Sequence, residues 1–332
     1  MTQFSAMQKD SCNSVLVTGG CGFLGSHLVK KLTHSEAKIV VVDTQRNSGY
    51  KAAEENRRNN ILFKKDIRNE RVISKIIKKE GVQHCIHLAG LANIRDSTER
   101  PYEVIDVNVN GTLSILKACV QNGLKSFIFA SSSAVYGESK NHPIKEDEQQ
   151  LKPVSLYGAS KLAGEALVSA YSSFFDATFC LRFFNIYGNR QVSANPSVIQ
   201  RFKERILKGS SPVIYGDGNQ TRDFVHVDDA VNCVLRAYKS THKYKIHQKN
   251  SMVKQSIILN VGSGRPVSIK YLAGQMQKIV LGRSIRPVFS EPIVGDIKHS
   301  CADISKCHKI LGYKPVVELT DGLLSIMRQS HK

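Results

Sequence analysis

Long apolar runs are missing from this sequence. Nowhere do about 18 apolar residues follow one another, the length a helix needs to span a bilayer, so no membrane span is expected. The opening stretch MTQFSAMQKDSCNS is polar and has no apolar core of the secretory type. No signal peptide is expected, and residues 1–13 read as a short disordered leader. Carboxylates are scarce, 28 Asp and Glu against 47 Lys and Arg, for a formal net charge of +19. Such charge attracts anionic ligands and surfaces. Yet the basic residues are spread along the chain, densest over 64–79 and 241–255, and read as a solvated surface. No aromatic-flanked or Cys/His nucleic-acid motif accompanies them, so nucleic acid is not an expected partner. Cysteines are present, eight of them, but none forms a C-x-x-C pair. Several lie in apolar runs such as HCIHLAG and FCLRFF, which points to buried free thiols in a reducing cytoplasm and to no metal site.

What is present fits a soluble globular protein: 332 residues, 41% hydrophobic and 23% charged. In the first half, short apolar runs alternate with helical patterns. SVLVTGG, KIVVVD, ILFKKD, VQHCIHLAG, SFIFASS and ATFCLRFFNIYG read as six strands. Helices are expected over 26–34, 69–80, 101–122 and onward from Ser155, with Pro101 and Ser155 at favoured start positions. This rhythm predicts an α/β fold, a parallel sheet with helices on both faces. After residue 189 the rhythm breaks into helices over 195–209, 268–282, 303–313 and 318–329, with FVHVDDAVNCVLRAYK as a short strand running into another helix and IILNVGSG as a strand. No linker and no internal repeat separates the halves. The expected organisation is a dinucleotide-binding domain over 14–189 and a smaller α/β lobe over 190–332, with a cleft between them.

The loop VLVTGGCGFLG follows the first strand directly. Gly20, Gly22 and Gly25 fit G-x-G-x-x-G, and Gly19, Gly22 and Gly25 fit G-x-x-G-x-x-G. Glycines let the backbone turn sharply and approach a pyrophosphate, while the helix N-terminus offers N–H groups and partial positive charge. Asp43 ends the second strand, 18 residues after Gly25. A carboxylate there accepts the ribose hydroxyls of NAD and repels a 2′-phosphate. Arg46 nearby is the one feature that leaves room for NADP. Tyr157 and Lys161 stand four residues apart, on one face of the helix opened by Ser155. Alone, the pair is ordinary helix surface.

Taken in order, TGGCGFLG, HLAG, ASSSAVYG, SLYGASKLAGE, LRFFNIYG, IYGDGNQTRDFVHVDD and GDIKHSCADISK give the chain a specific resemblance. Over about residues 14–328 it resembles the extended short-chain dehydrogenase/reductases, and within them the UDP-glucose/UDP-N-acetylglucosamine 4-epimerases. The resemblance implies a Rossmann-type doubly wound sheet with a smaller C-terminal substrate-binding lobe. It implies tightly bound, recycled NAD and catalysis by Ser132, Tyr157 and Lys161. A free tyrosine has a pKa near 10. A neighbouring ammonium and the positive nicotinamide ring favour its phenolate, which can take a proton from a sugar hydroxyl. Of the three serines in ASSSAVYG, Ser132 is selected because the family's hydroxyl lies five positions before the glycine, here Gly137. Ser133 becomes a substrate neighbour and Ser131 a structural residue. Related dehydratases carry Asp-Glu after that hydroxyl, whereas this chain has Ser133 and Ala134, which favours epimerisation.

By position, Gly19, Gly22, Phe23, Leu24, Gly25, Asp43, Asp66, Ile67, Leu88, Ala89, Gly90, Asn108 and Phe183 would meet the cofactor, together with Tyr157 and Lys161. Many relatives have Ala at Gly90, and the family asparagine matching Asn108 usually braces the active-site strand. Asn185 and Arg222 would hold the sugar diphosphate, Val213 to Tyr215 the uracil, and Asp296 the uridine ribose. Where many relatives have a diphosphate-binding Arg, this chain has Ile293, so Arg190, Arg286 or Lys298 would have to substitute. Ser300 falls at the position that limits room beside sugar C2, where a tyrosine excludes N-acetyl groups. The substrate pair implied is UDP-GlcNAc/UDP-GalNAc, with UDP-glucose/UDP-galactose as a second pair. Rival readings are a UDP-glucuronate epimerase or decarboxylase, another nucleotide-sugar dehydratase or reductase, and an NAD-binding scaffold or sensor. A homodimer packed through helices 101–122 and 155–175 is also implied.

Overall fold

The computed structural model describes residues 14–44, 60–92, 94–148, 150–189, 191, 196–247, 255–283, 285–293 and 296–328. The leader 1–13, Arg46, Arg190 and residues 248–254 of the second basic stretch lie outside the described residues. The first half runs β1 (Ser14–Thr18), α1 (Phe23–Leu32), β2 (Lys38–Asp43), β3 (Asn60–Lys64), α2 (Glu70–Glu80), β4 (His84–His87), α3 (Ile94–Glu99), α4 (Pro101–Ile105), α5 (Gly111–Gln121), β5 (Ser126–Ser132), α6 (Leu156–Tyr171) and β6 (Ala177–Phe183). The second half runs β7 (Asn185–Tyr187), α7 (Val198–Leu207), β8 (Val213–Tyr215), β9 (Thr221–His226), α8 (Val227–His247), β10 (Ile257–Val261), β11 (Pro266–Ser268), α9 (Ile269–Leu281), β12 (Val288–Ser290), α10 (Ser305–Leu311) and α11 (Leu319–Arg328).

Seven strands form one parallel sheet in the order β10-β6-β5-β4-β1-β2-β3. The central strands are apolar throughout because both faces are covered. On one face, Val15, Val17, Ile39 and Ile128 pack with Leu28 of α1, Val231 and Val234 of α8, and Leu311 of α10. On the other, Leu16, Val40, Phe127 and Phe129 pack with Ile73 of α2, Ile115 of α5 and Val168 of α6. The strand order reverses between β1 and β4. In open α/β sheets, ligands bind outside the carboxyl ends of the strands at that switch point. The ends of β1, β4, β5 and β6 place the glycine loop, Leu88–Gly90, Ser132 and Phe183 there.

Three features depart from the sequence reading. The expected helix over 101–122 is interrupted by a π-turn at Asp106–Asn110, and α3 precedes it. The expected strand through ATFCLRFFNIYG divides at Phe184. β6 stays in the main sheet, while β7 pairs in parallel with β9, which pairs antiparallel with β11. Three elements from beyond residue 189 also return to the first half: β10 pairs with β6 along the edge of the main sheet, and α8 and α10 pack on its face. β7, α7, β8, β9, α9 and α11 build a separate core around Tyr187, Phe202, Ile214, Leu272 and Leu323. There β8 pairs with β12.

Candidate active site

The loop after β1 has the shape that an anion needs. Gly19 has φ +70°, and a Cβ there would lie 2.7 Å from the Ala89 nitrogen. A Cβ at Gly25 would lie 2.1 Å from the Gly19 oxygen, so the loop closes tightly on the start of α1. Gly22, the N-cap of α1, is different. Its backbone is extended and a Cβ would meet only the Gly19 oxygen, at 3.2 Å. No side chain caps this N-terminus and no acidic residue stands in the first turn. The N–H groups of Phe23 and Leu24 therefore begin the helix in a setting suited to a pyrophosphate. Asp43 sits at the end of β2, and its Oδ2 accepts the Cys21 N–H at 2.9 Å, which fixes the carboxylate beside the loop. These residues fit a dinucleotide.

The rest of the expected cofactor wall divides by function. Asp66 accepts from the Arg68 backbone at 2.9 Å and from its guanidinium at 2.6 Å, and Arg68 also reaches Asp106 at 2.5 Å. The two carboxylates hold the Arg68 guanidinium well above its ordinary pKa. Ile67 is buried in the second core, with Gly111 packed against it, so its side chain serves packing. Leu88, Ala89 and Gly90 are half-buried along the end of β4. Asn108, on the π-turn, accepts from Leu91 N at 2.8 Å and donates to Leu91 O at 3.0 Å and Ser160 Oγ at 2.9 Å. All three of those bonds brace protein.

Ser132 ends β5 and Phe183 ends β6, paired with each other in register. Ser155 caps α6 by accepting the Gly158 N–H at 3.1 Å. The helix then comes close to β5 because two glycines permit it. A Cβ at Gly158 would lie 2.5 Å from the Ala134 oxygen, and one at Gly164 would lie 2.5 Å from the Phe129 ring. That approach brings Tyr157 and Lys161 to the end of β5. Lys161 Nζ donates to Ala130 O at 2.9 Å and lies 5.1 Å from the Phe129 ring centroid and 6.0 Å from that of Tyr157. Burial pushes the Lys161 ammonium down to about 8, partly opposed by Glu165. Burial pushes the Tyr157 phenol up, and the Ser132 hydroxyl beside it pulls it back. Ser133 is half-buried in the turn that follows. Ser131 points elsewhere and donates to Glu165 at 2.5 Å.

Sequence reasoning missed the polar groups behind this site. His87 is buried at the end of β4 between Thr18 Oγ1 at 2.6 Å and Thr112 Oγ1 at 3.0 Å. Thr112 donates onward to Asn108 O at 2.6 Å, so it accepts from His87 Nε2–H, and Thr18 donates to Nδ1. Burial, with the Lys161 charge nearby, pushes His87 down to about 3. Arg182, a charge inside an apolar strand, forks onto Glu165 at 2.8 and 2.7 Å. Both were visible as polar residues in otherwise apolar or motif-bearing runs.

On the substrate side, Arg222 does not pair with its neighbour Asp223. Its Nη2 bonds Asp296 Oδ1 at 2.5 Å, joining two residues expected to hold the nucleotide. Asp223 faces inward and accepts from Ser263, Gly264 and Ala302. Asn185 is exposed at the start of β7. Val213 and Tyr215 flank buried Ile214 in β8, and Arg201 lies 5.8 Å from the Tyr215 ring. Ile293 is exposed and its carbonyl accepts the Asp296 N–H at 3.1 Å; Arg286 and Lys298 are exposed. Ser300 is buried, its amide bonded to Thr221 O at 3.2 Å. Among the described residues, no helix is long and apolar enough to cross a membrane and no group of His, Cys, Asp or Glu could hold a metal ion. The seven cysteines described are buried, and none of them forms a disulfide.

Known proteins share this fold. Residues 15–249 match the NAD dependent epimerase/dehydratase family. A putative UDP-glucose 4-epimerase of Methanocaldococcus jannaschii is 34% identical over 94% of this chain and 97% of its own length. The UDP-N-acetylglucosamine 4-epimerase of Methanobrevibacter ruminantium, solved with UDP-N-acetylmuramic acid, superposes with a TM-score of 0.85 at 31% identity, over 97% of this chain and all of that one. The UDP-glucuronic acid 4-epimerase of Bacillus cereus, solved with UDP-glucuronic acid and NAD, gives 0.82 at 29% identity, over 95% of this chain and 98% of that one. With a dinucleotide loop, a tyrosine set beside Ser132 and Lys161 and these relatives along nearly all of its length, the chain belongs to the NAD-dependent epimerase/dehydratase family and is a nucleotide-sugar 4-epimerase.

Proposed function

We propose that the protein interconverts UDP-N-acetylglucosamine and UDP-N-acetylgalactosamine, and UDP-glucose and UDP-galactose as a second pair. The observation that carries the chemistry is the meeting of Ser132, Tyr157 and Lys161 at the end of β5, with Ser133 and Ala134 in place of the carboxylates that elimination requires. Bound NAD supplies a hydride acceptor, and then a donor, at sugar C4. The chain's own residues handle the proton. Ser132 and Tyr157 hold the O4 hydroxyl between them, and Tyr157 takes its proton as the C4 hydride leaves. Tyr157 returns that proton after the 4-keto sugar has presented its other face. Lys161, fixed by Ala130 O, keeps positive charge beside the phenol, which burial alone would keep protonated. Gly22, Phe23, Leu24 and Asp43 hold the dinucleotide.

Ser300 supports the acetylated pair, because a small side chain there leaves room beside sugar C2. Arg222 and Asp296 stand together where they can receive the diphosphate and ribose, an arginine fork being suited to phosphate oxygens. A second reading is a uronate sugar, favoured by the likeness to the Bacillus cereus enzyme. Purified protein is incubated with a panel of UDP-sugars and the anomeric NMR signals are followed. The proposal expects GlcNAc/GalNAc exchange, lost selectively in Ser300→Tyr while the plain sugars still turn over. Equal loss on both, or exchange of uronates alone, overturns the assignment. The assembly proposed is a homodimer through helices 101–122 and 155–175, where Tyr102 and Phe174 stand exposed. A monomeric mass by light scattering would refute it.

A further inference from the structure

Tyr157 and Lys161 continue into a third residue on the same face of α6. Glu165 follows Lys161 at the same four-residue interval. It is 4% exposed and reaches no solvent-facing partner. Its Oε1 accepts from Arg182 Nε at 2.8 Å and from Ser131 Oγ at 2.5 Å, and its Oε2 accepts from Arg182 Nη2 at 2.7 Å. Ser131 and Arg182 are partners in the β5–β6 ladder. The next rung of that ladder is Ser132 and Phe183. The carboxylate therefore ties α6 to the two strands one step before the catalytic serine. Ala130, whose carbonyl holds Lys161, lies one step before Ser131.

Stability alone is a poor reason for this arrangement. A buried ion pair loses most of its attraction to desolvation, and apolar residues of similar volume often serve the fold as well. This pair is also supported from behind, where Arg182 lies 4.8 Å from the Tyr136 ring and donates to Glu146 O at 3.2 Å. Tyr136 in turn donates to Asn260 at 2.6 Å. We propose that Glu165 is a positioning residue for the reaction: through Ser131 and Arg182 it fixes α6 in register with β5, and its negative charge keeps Lys161 cationic beside Tyr157. The groups facing this part of the site are few. Lys161 meets Tyr157 and Glu165 on its own helix and the neutral His87 from β4. Glu165 meets Arg182 and Cys180 from β6 and Ser131 from β5. Among the described residues, Glu165 is thus the carboxylate that raises the Lys161 pKa against burial.

The inference rests on the catalytic reading of Tyr157 and Lys161, so the test has a readout that needs no turnover. Two variants are prepared as NAD-loaded protein, Glu165→Gln and the apolar exchange Glu165→Leu with Arg182→Met. Turnover of UDP-sugar is measured between about pH 6 and about pH 10, and the Lys161 side chain is titrated by ¹³Cε NMR, assigned with Lys161→Arg. The expected result is a loss of about 10- to 100-fold in kcat with KM within about twofold, as for misplacement of a reacting group. The alkaline limb of the pH profile and the Lys161 titration should both move down by about one pH unit, because the buried ammonium has lost its counter-charge. A folded Glu165→Gln whose alkaline limb and lysine titration match wild type overturns the proposal, whatever happens to kcat. If that variant does not fold, the apolar exchange is read by the same criteria. Wild type that turns over no UDP-sugar refutes the proposed function, and the lysine titration still decides the role of Glu165.

Discussion

At the scale of single residues, burial holds two groups in their neutral forms over a wider pH range than water would. Tyr157 is held protonated by burial and needs positive charge nearby to act as a base. Tyr157→Phe should keep the dinucleotide, fold normally and lose about 10²–10⁴-fold in kcat, the usual weight of a general acid–base group. Stopped turnover with bound NAD retained on gel filtration would verify this; undiminished turnover would refute it. His87 is also held neutral, between two threonines, but here burial lowers the pKa, from 6.5 to about 3. The unfolded chain binds this proton below 6.5 and the folded chain does not. The stability from keeping His87 neutral is therefore present above pH 6.5 and is lost as pH falls toward 3. Denaturant unfolding should show wild type losing up to about 1.4 kcal/mol per pH unit from this group across that window. His87→Gln should follow a flatter pH dependence. Identical slopes would mean that His87 does not titrate on unfolding.

At the scale of elements, the glycine loop separates folding from binding. Gly25→Ala drives a Cβ to 2.1 Å from a backbone oxygen, so the loop must open and α1 must shift. Gly22→Ala meets only one atom, at 3.2 Å, in a backbone conformation any residue adopts. Gly25→Ala should lower Tm by several degrees, whereas Gly22→Ala should keep Tm and lose NAD, because its methyl group occupies the anion's space. Thermal unfolding and the absorbance of bound nucleotide distinguish the two. Local pattern made these elements legible in the sequence: an apolar strand, glycines at the turn, an acid at the end of the next strand. The π-turn at 106–110 was not legible, because its register change places Asn108 against Leu91, far away in sequence. Nor was the division at Phe184. The run ATFCLRFFNIYG is apolar on both sides of it, and only the sheets it joins distinguish β6 from β7.

At the scale of the whole molecule, the two halves do not part where the sequence rhythm changes. The motifs pointed to Ser132, Tyr157 and Lys161, which meet at the end of β5, but the pairing of Arg222 with Asp296 and the inward turn of Asp223 depend on contacts 74 and 40 or more positions apart. A fragment of residues 14–189 lacks β10 and α8, which cover the edge and one face of the main sheet. It should express as an aggregate without NAD affinity, while a fragment mixture that restores 190–332 should recover both. A soluble, cooperatively unfolding 14–189 fragment would contradict the fold described here.

The return of β10 to the main sheet also limits how this enzyme can borrow specificity. A nucleotide pocket from a relative cannot be grafted with one crossover, because the donor would bring a foreign strand to the edge of the host's sheet. Two junctions are needed, on either side of that strand, so that the recipient retains its own selvedge while the surrounding cloth is exchanged.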